Sequence, residues 1–147
     1  MTDFDKINRC EHLQVTELFE PYENELTIAV CIGNVSDDEE YISISDKQLG
    51  PVRKVNFDSS QDEYIIFFDT YISYFVVNES FNRGMRGDYT GNKIRQYQNS
   101  NFIDFCKQQN IYFNLWDDKD INHFGIITEN HIIHILTRSQ PEVKHKE

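Results

Sequence analysis

Leu13 and Val15, with Glu17 and Phe19 in the same phase, repeat at every second position, and after the polar break Pro21 to Asn24 the run Leu26 to Ile32 is rich in β-branched residues. The pattern predicts two strands joined as a hairpin. Gly33-Asn34 is read as the end of the second strand, and Ser36-Asp37-Asp38-Glu39-Glu40 as a solvated acidic turn. Tyr41, Ile42 and Ile44 resume a short alternation, Leu49-Gly50-Pro51 interrupts it, and Val52, Val55 and Phe57 predict a further short strand. A second polar turn runs from Asp58 to Glu63.

From Tyr64 to Val77 both parities are apolar: Tyr64, Ile66, Phe68, Ile72, Tyr74 and Val76 on one, Ile65, Phe67, Tyr71, Phe75 and Val77 on the other. A strand apolar on both faces must be covered on both, and about fourteen residues exceeds the usual strand length of about 3 to 10. The run is therefore expected to bend or split near Asp69-Thr70. A polar, glycine-bearing loop follows over 78–92, and Lys93 to Tyr97 reads as a polar, edge-like strand.

One helix is predicted, over residues 101–110. Asn99-Ser100 supply good N-caps, and Phe102, Ile103, Phe105 and Cys106 recur at helical spacing on one face. Tyr112, Phe113, Leu115 and Trp116 then lead to an Asp117-Asp118-Lys119-Asp120 turn, and His123 to Thr128 and His131 to Thr137 predict a terminal hairpin around Glu129-Asn130. The polar residues 138–147 read as a flexible tail, leaving one globular domain over 1–137. The expected fold class is α+β: a mainly antiparallel, strongly curved sheet with the helix packed on it.

The terminal hairpin makes a specific test possible. A two-residue loop at 129–130 sets residues whose numbers sum to 259 opposite one another, so His123 and His134 fall on one face as diagonal neighbours, with Gly125 directly across from His134. Two imidazoles so placed suit ligand binding, proton transfer or, with further ligands, a metal. Packed, hydrogen-bonded structural histidines are the competing reading. Asp69 is the other candidate at this site, because a carboxylate inside an apolar run needs a partner or a bulge that lets it reach water. Arg83, Arg86 and Arg95, with Lys93, surround the loop glycines and form a candidate anion contact, with pairing to the chain's own acids as the alternative.

Charge changes the picture most. The 147 residues carry 14 Lys and Arg against 25 Asp and Glu, a net charge of -11. Residues 1–50 alone hold 12 acids and 3 bases, a balance of -9. Such a field opposes binding to nucleic-acid phosphates and favours a basic partner. No apolar run approaches the ~20 residues of a membrane helix, and the start Met1-Thr2-Asp3-Phe4-Asp5 lacks the basic and apolar segments of a secretory signal, so a cytoplasmic location is expected. Cys10, Cys31 and Cys106 form no C-x-x-C pair and predict neither a disulfide framework nor a zinc ribbon. The phosphate-binding, dinucleotide, nucleophile-elbow and zincin motifs are missing, so no catalytic residue, metal or cofactor is assigned.

Tyr64 to Phe81 with its Asn78-Glu79-Ser80 step, Gly91 to Tyr97 with Ser100 to Phe105, and the closing His123 to Leu136 together resemble a family of small uncharacterised single-domain bacterial proteins. That resemblance covers roughly residues 64–137 and implies a small α+β domain without an assigned activity. More loosely, the chain is similar in size and acidity to the immunity proteins of bacterial toxin systems. The expected function is therefore a non-enzymatic protein-binding module, with Asp37, Asp38, Glu39 and Glu40 docking a basic protein such as a toxin. The alternative is a ligand- or metal-dependent activity at His123, His134 and Asp69.

Overall fold

The structure is a computed structural model that describes residues 1–58, 62–109, 111 and 120–147. Among the described residues ten strands form two five-stranded sheets in which every pairing is antiparallel. In the first sheet β1 (His12–Phe19), β2 (Leu26–Ile44), β4 (Glu63–Phe68) and β10 (Glu142–His145) lie side by side, and β3 (Lys47–Phe57) pairs with the outer half of β2. The second sheet runs in the order β5 (Ser73–Asn78), β9 (His131–Thr137), β8 (Asn122–Ile127), β7 (Ile94–Gln98) and β6 (Asp88–Thr90). The α+β class and antiparallel pairing hold. The expected single, strongly curved sheet does not, since neither sheet is strongly curled.

The physical reason lies in the doubly apolar run. It splits after Phe68, as the sequence predicts, but the two halves enter different sheets: β4 pairs with β2, and β5 pairs with β9. One parity of each half then meets in the middle. Ile28, Val30, Ile66 and Phe68 from the first sheet share a core with Ile94, Phe124, Ile126, Ile133 and Ile135 from the second. Each such side chain taken from water contributes roughly 1.5 to 3 kcal/mol before entropy is charged against it.

Helix α1 (Asp3–Arg9) adds Ile7 to that core, an element that the strand-centred reading of the first fifty residues misses. Its signal is local. Thr2 and Asp5 form a capping box, in which the Thr2 hydroxyl accepts from the Asp5 N–H and the Asp5 carboxylate accepts from the Thr2 N–H. Asn8 ties the helix to the second sheet, its side-chain oxygen accepting from the N–H groups of Asn92, Lys93 and Ile94.

Three further expectations are corrected. Residues 36–40 are no turn, because β2 runs on for nineteen residues through Gly33-Asn34 to Ile44 and β3 through Leu49-Gly50-Pro51, each taking its main-chain partners from the other. The strand β7 is no edge, since it lies between β6 and β8. Nor are residues 142–145 a loose tail: they form β10 along the open side of β4, where Val143 packs on the core, the His145 ring meets Tyr64 edge-on and Lys146 pairs with the buried Glu63 at 2.9 Å. Helix α2 (Asn101–Gln108) is where it is predicted and packs Phe102 and Cys106 with Leu136 on the outer face of the second sheet, while Phe105 faces solvent. The expected helix stop at Asn110, the aromatic stretch over 112–116 and Asp117, Asp118 and Lys119 lie outside the described residues. Among the described residues no helix is long and apolar enough to cross a membrane.

Candidate functional site

The β8–β9 register follows the 259 rule at every paired position, from Asn122 opposite Thr137 to Ile127 opposite Ile132. Phe124, Ile126, Ile133 and Ile135 therefore face the core between the sheets, and His123, Gly125, His134 and Leu136 face α2. The two histidines meet as the parity requires: His123 Nε2 lies 2.9 Å from His134 Nδ1. The chain continues to Ser100, whose Oγ lies 2.6 Å from His123 Nδ1 and also accepts the Ile103 N–H as the N-cap of α2.

Aromatic rings enclose this chain. Tyr97, opposite His123 in the β7–β8 ladder, stacks on its ring at 4.5 Å between centroids, and Phe75, opposite His134 in the β5–β9 ladder, stacks on that ring at 5.1 Å. Phe102 meets the His123 ring edge-on at 5.0 Å. Gly125 is required by this packing, because a Cβ there would lie 2.7 Å from the Tyr97 ring and 3.4 Å from the His134 ring. Gly87 plays the same part over the serine, where a Cβ would lie 2.9 Å from the Ser100 Cα.

Burial decides the electrostatics. Ser100 and His123 are 0% exposed and His134 is 2% exposed. Removal from water, reinforced by the neighbouring His134, pushes His123 down to about 3, and removal from water together with the Arg95 charge pushes His134 down to about 4. Both rings are neutral at pH 7. A neutral imidazole has one donor and one acceptor nitrogen, so the chain has two consistent senses. Either Ser100 donates to His123 and His123 to His134, or His134 donates to His123 and His123 to Ser100. Such a chain fixes tautomers and ties the hairpin to the start of α2. It has little contact with water through which a substrate would reach the serine.

The other predicted residues fall elsewhere. Asp69 does not join the histidines; it is exposed in the break between β4 and β5, where leaving the strand solves its burial problem. Among the described residues no group of three or more His, Cys, Asp and Glu is arranged to hold a metal. The candidate anion contact is divided. Arg95 lies over the Tyr89 ring at 4.1 Å and donates to the Asn92 carbonyl and Tyr97 hydroxyl, while Arg83 and Arg86 lie exposed in the loop before β6.

Asp37, Asp38, Glu39 and Glu40 stand on the outer half of β2. From Asn34 to Asn56 this half and β3 make a two-stranded arm, and its β2 side of eleven residues spans about 35 Å at full extension. Cross-strand bases take two of the acids, Arg53 pairing with Glu39 and Lys54 with Glu40, each at 3.4 Å. No ion pair joins Asp37, Asp38 or Asp46 to a base among the described residues. Ile42 opposite Leu49, with Ile44 beside them, forms an exposed apolar strip near the tip, and Tyr41 is 65% exposed. Period-two apolar residues around an acidic run are the signal for this arm, and reading that run as a turn hides it. No family model, no curated protein and no solved structure matches the chain.

Proposed function

We propose that the protein is a non-enzymatic binding module that engages a basic protein through the β2–β3 arm. The observation that carries the reading is that among the described residues the arm pairs only with itself, while exposing Tyr41, Ile42, Ile44 and Leu49 beside Asp37, Asp38 and Asp46. A lone two-stranded ribbon is marginal in water, so an apolar tip held away from the core suits burial against another molecule. Carboxylates around it would steer a basic partner and reject an acidic one. An immunity-type inhibitor, which covers the basic working surface of a toxin, is the specific form of this reading. A ligand- or metal-dependent activity at the histidines has less support, because Ser100, His123 and His134 are closed off beneath α2 and aromatic rings.

The test uses the immobilised full chain, with proteins retained from the source cell's lysate at low salt and released at high salt identified by mass. Partner affinity is then measured for Asp37→Lys with Asp38→Lys, and separately for Ile42→Asp with Leu49→Asp. Each pair is expected to weaken binding at least tenfold, the charge pair with a flatter salt dependence. Unchanged affinity in both would remove the arm from the interface.

A further inference from the structure

Among the described residues five strands pair on one side only, β1, β3, β5, β6 and β10, and all but β5 are blunted in the usual ways, β3 by Pro51 and by the charges of Lys47, Arg53 and Lys54. The strand β1 carries a bulge between Val15 and Glu17, and the Asn130 side chain holds both the N–H and C=O of Val15 at 2.9 and 2.8 Å. The strand β10 alternates Glu142, Lys144 and His145 with a single valine, and β6 is three residues long and begins with Asp88. The strand β5 has none of these devices. Its sequence Ser73-Tyr74-Phe75-Val76-Val77-Asn78 has no charge, no proline and no bulge against β9.

Register shows which main-chain groups this leaves open. Glu79 donates to the Asn130 carbonyl, in phase with the pairs Val77 with Ile132 and Phe75 with His134, so these odd positions exchange hydrogen bonds with β9. Tyr74 and Val76 then turn their N–H and C=O outward, and Val76 is 43% exposed. A cavity of about 240 Å³ lies alongside, lined by Val15, Thr16, Glu17 and Leu18 of β1 with Val76, His131 and Ile133. His131 Nδ1 is the one buried side-chain polar atom without a hydrogen-bond partner among the described residues. Outward-facing amides two residues apart suit an extended chain as occupant, Val15, Leu18, Val76 and Ile133 in the lining suit apolar side chains on it, and the exposed carboxylate of Glu17, whose charge also acts on Lys146, favours a positive charge.

We propose that the edge of β5 is a strand-addition site that takes an extended, apolar segment with basic flanks from a partner polypeptide. The bound segment hydrogen-bonds Tyr74 and Val76 as a sixth strand and lays alternate side chains against Val15, Leu18 and Val76, as in other cases of β-augmentation. The site is independent of the β2–β3 arm and does not rest on the reading given to it.

The probe is a blocked heptapeptide of alternating valine and threonine with a lysine at each end, titrated into the full chain while amide exchange is followed by NMR. At saturation, exchange at Tyr74 and Val76 is expected to slow at least tenfold. A peptide with glutamate ends is expected to bind at least threefold more weakly, and one N-methylated at its central valine at least tenfold more weakly. Val76→Pro removes an N–H that the β9 ladder does not use and is expected to abolish binding with the β8–β9 amides still protected. The N-methyl peptide gives the same information with the unmodified protein if that variant fails to fold. Unchanged exchange at Tyr74 and Val76, or equal binding of the N-methylated peptide, would overturn the proposal. So would a free protein with the mass of a dimer that Val76→Lys converts to monomer, because a second copy would then cover the edge.

Discussion

The β8–β9 hairpin and the β2–β3 arm are both antiparallel ribbons, and they use their faces in opposite ways. Along the hairpin one face enters the core between the sheets and the other is closed by α2, so nearly every side chain from His123 to Thr137 has a neighbour that it must fit. Along the arm from residue 37 to 51 every residue is exposed. Identical main-chain pairing therefore carries different consequences. In the hairpin a polar side chain has to find a partner inside, and His123 and His134 find each other and Ser100. In the arm a side chain has no such obligation, and apolar tip residues sit in solvent beside acids.

The largest break in this contrast should come from His123→Ala. The substitution removes a buried ring and leaves both Ser100 Oγ and His134 Nδ1 without the partner they have now. Cavity formation and unmet hydrogen bonds together should cost roughly 3 to 5 kcal/mol, read as a lower urea midpoint at pH 7.5. His123→Gln, which keeps polar atoms at the site, should recover part of the loss. A midpoint within error of the parent for the alanine variant would mean that the histidine chain holds nothing in place.

Acid should act next, and through the same two residues. An unfolded histidine takes up its proton near pH 6.5, whereas His134 and His123 resist protonation down to about 4 and about 3. Between these limits the unfolded chain holds more protons, so stability rises with pH, is complete above about 6.5 and falls away as the pH drops toward 4. The slope should approach about 1.4 kcal/mol per pH unit for each histidine that stays neutral. Urea titrations at pH 7.5, 6.0 and 5.0 measure it, and a variant with both histidines replaced by glutamine should show a visibly shallower dependence. An equal slope in that variant would place the acid sensitivity elsewhere.

The contrast also explains what the sequence discloses. The hairpin register is legible because the two apolar parities on either side of Glu129-Asn130 leave little freedom, and its unusual turn dipeptide has a tertiary cause: Asn130 grips Val15, and the Glu129 carboxylate holds His12. The break after Phe68 is legible for the same reason, since a run apolar on both faces demands two covers. Which sheet each half enters is not, because parity says nothing about the partner strand. Ser100 is recognisable as a helix cap, but its second role as the neighbour of His123 depends on the β7–β8 register, which local pattern does not set. The arm is illegible because four consecutive acids and a Gly-Pro step signal a turn wherever no core opposes them, and here cross-strand pairing alone keeps the backbone extended.

The smallest effect on stability should follow the largest deletion. Replacing residues 38–52 with an Asn-Gly turn removes the exposed part of the arm, including Tyr41, Ile42, Ile44 and Leu49, but keeps Val35 paired with Val55 and Gly33 with Phe57. The ion pair of Glu39 with Arg53 is lost, and Lys54 is left without Glu40; exposed pairs of this kind are worth about 0.2 to 1 kcal/mol. Ordering the arm also costs conformational entropy that the shortened chain no longer bears. The two terms oppose, so the unfolding free energy from urea titration should change by less than about 1 kcal/mol in either direction, far less than with His123→Ala. A loss of several kcal/mol would show that the arm is packed against its own domain, and the exposed tip would cease to be a surface kept for another molecule.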